Sequence, residues 1–72
     1  MEVRVLAHGT RGGNQVSLLM VAELGMPALF VVTMQVFERG HQRQTWARTD
    51  FDPLVARELY DVAVAEFISG DA

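Results

Sequence analysis

Hydrophobic and polar residues alternate along most of this chain, and the places where alternation fails divide it into elements. The longest β-rich run is Ala28–Glu38. There Ala28, Phe30, Val32, Met34 and Val36 are all apolar, while the odd positions pass from Leu29 and Val31 to Thr33, Gln35 and Phe37. A period of two with one wholly apolar side is what a strand needs to lay one face on a core, so this run is expected to be the central strand. Glu2–His8 alternates too, with Val3, Val5 and Ala7 on one side and Arg4, Leu6 and His8 on the other, and predicts a first strand. Gly9–Asn14 then breaks the pattern with three glycines and an asparagine, residues that accept positive φ.

Gln15–Leu24 fits two elements. Leu18, Leu19, Met20, Ala22, Glu23 and Leu24 are good helix formers, Asn14 could cap a helix, and Gly25 before Met26-Pro27 could stop one. Such a helix, however, is apolar nearly all round, because Gln15, Ser17 and Glu23 point in three directions. As a strand, the segment places Val16, Leu18, Met20, Ala22 and Leu24 on one face, and the strand is the preferred reading. After the central strand, Glu38-Arg39-Gly40-His41 is a hairpin signal, expected as a three-residue loop with Gly40 left-handed. Gln42–Thr49 returns as a polar strand. A three-residue loop turns Trp46 toward the core, whereas two or four residues turn it away.

The last element starts at Asp52, an N-cap, followed by Pro53 at the first helical position. Val55, Ala56, Leu59, Tyr60, Ala63, Val64 and Phe67 occupy one half of its wheel, Arg57, Glu58 and Asp61 the other, and Gly70 ends it. Leu59 is expected to be a main core residue. The fold class is therefore α+β, one domain over 1–72, with a three- to four-stranded antiparallel sheet and a C-terminal amphipathic helix packed on one face. That helix is expected over Val5, Leu18, Met20, Phe30, Val32 and Met34. The opposite side then shows Leu6, Leu19, Val21, Leu29, Val31 and Phe37 as one apolar patch. Soluble monomers rarely leave more than a few hundred Å² of contiguous apolar surface bare, which predicts a homodimer or a target that covers the patch.

Composition sharpens this picture. Half of the 72 residues are hydrophobic, although a chain this short buries only about 60% of its unfolded surface. The net charge of −3, with six arginines and no lysine, argues against nucleic acid as partner. No apolar run reaches the roughly 18 residues of a membrane span. The chain has no cysteine, which excludes disulfides and thiolate metal sites. Met-Glu-Val-Arg-Val has no signal-peptide pattern, so cytoplasm is expected.

Candidate chemistry is sparse. His8 and His41 lack a second ligand at metal-binding spacing, and Ser17, Thr10, Thr33, Thr45 and Thr49 lack a nucleophile motif. Neither catalysis, nor a metal, nor a cofactor is expected. Arg39, His41, Arg43, Trp46 and Arg48 gather on or beside the hairpin as a candidate binding cluster, because Trp and Arg dominate binding hot spots. The same residues also fit a solvated edge strand whose charges discourage aggregation.

Two resemblances bear on function. His8-Gly9-Thr10-Arg11-Gly12-Gly13-Asn14, between a strand and an apolar segment, resembles the Gly-Thr-Arg-Gly-type first loop of sugar-nucleotide glycosyltransferases. The residues after Gly12 depart from that pattern, and the nucleotide-binding domain is missing. The resemblance implies a small nucleotide- or sugar-binding fragment. Val36–Phe67, a strand, a Glu-Arg-Gly turn, a return strand into Ala47-Arg48-Thr49-Asp50-Phe51-Asp52 and an amphipathic helix, resembles small phage-encoded proteins, anti-CRISPR proteins among them. That resemblance implies an inhibitor that occludes the surface of a host defence or regulatory protein, with no cofactor and no chemistry. The expected function is thus a small non-enzymatic protein-binding module, the alternatives being a self-associating structural domain or the nucleotide- or sugar-binding fragment.

Overall fold

The computed structural model describes residues 1–69, and of Glu38, Gln42, Arg43, Gln44 and Ser69 it describes the backbone only. Four strands, β1 (Glu2–Arg11), β2 (Asn14–Ala22), β3 (Leu29–Glu38) and β4 (His41–Asp50), lie side by side in chain order. Each is antiparallel to the next. Helix α1 (Pro53–Val64) continues into a π-helical turn, Ala65–Ser69, and packs on one face of the sheet. The α+β class holds, and the strand reading of Gln15–Leu24 holds as far as Ala22; Glu23 and Leu24 belong to the following turn, where Leu24 is fully exposed rather than on the core face. The physical reason lies in position: β2 is an interior strand, so its apolar residues are sheltered by neighbours on both sides. β3 shares the middle of the sheet with β2. Gly70, read as the helix stop, lies outside the described residues.

Three turns join the strands, and glycine decides each. Arg11 pairs with Asn14, leaving Gly12-Gly13 as a two-residue loop with Gly12 at φ +60°. Positive φ at the first central residue is the type II′ pattern of tight hairpins. β1 therefore runs three residues beyond His8. Gly9 belongs to the strand, paired with Val16, and the helix lies above it at ordinary contact distance: a Cβ there would stand 3.5 Å from Ile68 Cγ2 and 3.6 Å from the Tyr60 hydroxyl. Between β2 and β3 the Met26 N–H donates to the Glu23 carbonyl at 3.0 Å, and Gly25 takes φ +81°. This is a type II turn. At the third turn Glu38 pairs with His41, and Arg39 and Gly40 have φ of 53° and 78°. Two left-handed central residues make a type I′ loop of two residues, not the expected three.

Two β-bulges then reset which side chains face the helix. β4 carries an extra residue, Arg43, because Phe37 pairs with Gln42 and Val36 with Gln44. The bulge restores the parity that the short loop removes, so Met34 pairs with Trp46 and Trp46 still packs against the core. The inward tryptophan is as expected, but a bulge rather than the loop length produces it. In β1, Val5 pairs with Leu19 and Ala7 with Leu18, leaving Leu6 without a partner. This second bulge overturns the expected sides of β1. Val5 belongs to the uncovered face with Leu19, while Ala7 and Gly9 lie under the helix. One inserted residue inverts every side chain on one side of it.

The core is small. Val16, Leu18, Val32 and Met34 from the sheet meet Ala56, Tyr60 and Ala63 from the helix, with Ala7, Phe30, Val36, Trp46, Leu59, Val64, Phe67 and Ile68 around the rim. Alanines at the centre of the helix contact let the two backbones approach closely, and the larger residues fill the sides. Leu59, expected at the centre, is only half-buried at the rim, and Val55 is exposed.

Both helix ends are tied down. Asp52 Oδ1 accepts from the Leu54 N–H at 2.9 Å, and its carbonyl accepts from Ala56 N–H at 3.1 Å. Asp50 Oδ1 in turn holds the Asp52 N–H at 2.7 Å. At the far end Asn14 Nδ2 donates to the Phe67 carbonyl at 3.0 Å and the Arg11 guanidinium to Ile68 at 3.3 Å. The first hairpin thus supplies donors to carbonyls that a helix end leaves without intrahelical partners. The molecule is a slab of 43 × 22 × 15 Å with a radius of gyration of 13.0 Å, against about 11 Å for a compact chain of this length.

Candidate functional site

One face of the sheet has no cover among the described residues. Pairing across the strands stacks its side chains in rows: Val3, Val21 and Leu29; then Val5, Leu19, Val31 and Thr49; then His8, Ser17, Thr33 and Ala47; then Thr10, Gln15, Gln35 and Thr45. The face is apolar at one end and polar at the other. Its apolar end holds six apolar side chains in two adjacent rows, with Thr49 at the β4 edge. Leu19, Val21, Leu29 and Val31 are half-buried by one another, whereas Val3 and Val5 on the edge strand are 54% and 61% exposed.

Of the expected self-association residues, Leu19, Val21, Leu29 and Val31 meet in this patch. Two do not. Leu6 is the unpaired bulge residue, 45% exposed. Phe37 lies beyond Thr33 and Gln35, about 20 Å along the strand from Val31, and packs beside the first turn: a Cβ on Gly13 would stand 2.7 Å from Phe37 Cβ. The sequence reading missed Val3 and Val5 as members. Nothing local marks the bulge, because the alternation Val3, Val5, Ala7 runs through it unbroken.

The described side chains of the hairpin cluster do not assemble into one site. Arg39 and His41 stand exposed at the β3–β4 turn. The side chain of Arg43 lies outside the described residues. Trp46 is half-buried against the core on the helix side, so it serves packing rather than offering a free binding face. Among the described side chains of the cluster, Arg48 joins it. The Arg48 guanidinium lies 5.2 Å from the centre of the Trp46 ring and also donates to the Ala47 carbonyl at 3.2 Å. From His41 to Trp46 is about 17 Å of strand, which separates the turn from this stacked pair.

Other sites are weaker. Gly12 and Gly13 connect two antiparallel strands, so the glycine loop lacks the helix N-terminus that cradles phosphate in nucleotide folds. His8 pairs across the strands with Ser17 on the flat uncovered face. No three acidic or histidine side chains come together to hold a metal ion among the described residues. A shallow depression of about 500 Å³ lies beside the apolar end, lined by Met1, Glu2, Ala22, Glu23, Leu24 and Gly25. Of its two carboxylates, Glu2 is engaged by the Arg4 guanidinium at 3.4 Å, and no histidine lines it, which gives it no evident chemistry. No helix of the described residues is long and apolar enough to cross a membrane. Comparison with family models, with curated proteins and with solved structures finds no match.

Proposed function

We propose that this chain is a small non-enzymatic protein-binding module that docks a partner protein on the apolar end of its uncovered sheet face. The observation that carries the reading is the two-row patch of Val3, Val5, Leu19, Val21, Leu29 and Val31. A sheet face that packs on nothing is normally polar, with apolar residues kept to the covered side. Here the polarity changes along the strands instead, so a bounded region is apolar on both sides of the sheet. Patches of that kind, rimmed by polar residues, mark interaction surfaces. An occluding inhibitor of a host protein, working in the cytoplasm, is the specific form we put forward, because such a role needs a rigid face and no chemistry.

Affinity capture from a lysate of candidate host cells tests the reading when three baits are compared. Wild type and Arg39→Ala should retain a common protein that Val31→Glu loses, with circular dichroism unchanged in all three. The same captured set on Val31→Glu as on wild type would overturn it, as would an empty wild-type bait.

A further inference from the structure

The apolar end of the uncovered face stops at β1, where Val3 and Val5 are exposed. Rows of side chains about 7 Å apart on four strands about 4.8 Å apart give the whole face on the order of 500 Å². A standard protein interface takes about 800 Å² from each partner. One copy therefore falls short, and its apolar end is cut off at a strand edge.

The two sheet edges differ. β4 presents Thr45, Arg48 and Thr49, the polar and charged dress that keeps an edge from pairing. β1 presents Val3, Val5 and Leu6, all exposed, with Glu2 and Arg4 as the only charges before the bulge. The Arg4 guanidinium reaches Glu2 of its own strand at 3.4 Å, and both side chains are well exposed.

We propose that β1 pairs antiparallel with β1 of a second copy of this chain across a two-fold axis at Val3, joining two four-stranded sheets into one of eight. This deepens the binding reading above and rests on it for the use of the enlarged face. Charge sets the register. An axis at Glu2 or Arg4 sets like charges directly opposite, which is destabilising. An axis at Val5 puts the Leu6 bulge inside the pairing, and bulges end ladders. With the axis at Val3, Glu2 meets the partner's Arg4 and Arg4 meets the partner's Glu2, while Val3 meets Val3 of the partner subunit on the apolar face. The helix does not obstruct this. Its approach to β1 through Tyr60 and Ile68 lies above Gly9, about 20 Å along the strand from Val3. The joined sheet carries two apolar ends side by side and on the order of 1,000 Å² of continuous face.

The test is light scattering coupled to gel filtration on the purified full chain at micromolar concentration. Wild type should run at twice the 8.0 kDa protomer mass. Arg4→Glu and Glu2→Arg each set like charges opposite and should weaken the dimer at least tenfold. Mixing the two variants, or combining them in one chain, restores opposite charges and should restore the dimer. Wild-type mass for Arg4→Glu overturns the proposal, and so does failure of the double variant to recover. The outcomes separate from those of the capture experiment. If Arg4→Glu stays dimeric while Val31→Glu loses its captured protein, edge pairing falls and the face reading stands.

Discussion

Asp52 begins the helix with a side-chain acceptor, and Pro53 after it needs no partner for a missing N–H. Asp52→Ala leaves the Leu54 N–H to water and should lower stability by about 0.5–2 kcal/mol, read as a drop in the denaturant midpoint at unchanged slope. Two glycines in the first hairpin should respond in opposite ways. Gly13 has no room: a methyl group there meets Phe37 Cβ at 2.7 Å and the Phe37 carbonyl at 3.3 Å. Gly13→Ala should cost about 1–3 kcal/mol, as overpacking does. Gly9 has ordinary contact distances above it, and alanine suits a strand better than glycine. Gly9→Ala should therefore be neutral or stabilising by up to about 1 kcal/mol. Equal losses at the two positions in urea melts would contradict this account.

At the scale of elements, the β3–β4 hairpin combines a type I′ turn with a bulge, and only the pair together puts Trp46 on the core. Deleting Arg43 removes the bulge and turns Trp46 toward the other face. Its fluorescence emission should shift to longer wavelength, with loss of stability. An unshifted spectrum would mean that the turn lengthens to compensate. Strand identities were legible in the sequence because period-two patterns are local: β3 is plain, and β2 becomes plain once a helix is seen to have no wet side. The helix start was equally legible, since Asp52 and Pro53 act within one turn. Bulges were not. Leu6 and Arg43 are extra only with respect to a partner strand, and a single strand carries no mark of it. The error therefore fell where pairing decides: Val5 moved to the uncovered face, Leu6 left the patch, and the hairpin loop was read one residue too long. The hairpin residues spread for a plainer reason: Arg39 and His41 stand at the turn, whereas Trp46, inward as expected, packs with Arg48 farther along β4.

Taken whole, the molecule is one sheet, one helix and two unequal faces. Seven of the described residues are buried, a small core for a chain whose margin of stability is narrow at this size. Substitutions on the two faces should separate cleanly. Leu19→Glu adds charge to a half-buried position of the uncovered face and should leave circular dichroism largely intact. Val32→Glu places the same charge in the core with no partner, and should abolish the cooperative thermal transition. Similar spectra for both variants would mean that the two faces are equivalent. The patch itself was readable from four of its six members. Its boundary lies in the chain itself, since Thr33 and Gln35 stand between Val31 and Phe37 on β3; what the sequence lacked was the β1 register that brings in Val3 and Val5.

The donors that Arg11 and Asn14 extend to Ile68 and Phe67 span 57 and 53 positions of chain. Their consequence is kinetic. Every strand pairing joins chain neighbours and can close early, but the helix cannot finish until the first hairpin is in place to receive it. On the ribosome, at about 5–20 residues per second, the stretch from Asp50 to Ile68 takes on the order of 1–4 s to emerge. Throughout that interval a complete sheet can stand with both faces bare. The apolar end of the uncovered face is then joined by Val16, Leu18, Val32 and Met34, and the nascent chain is at its most adhesive just before its last element docks.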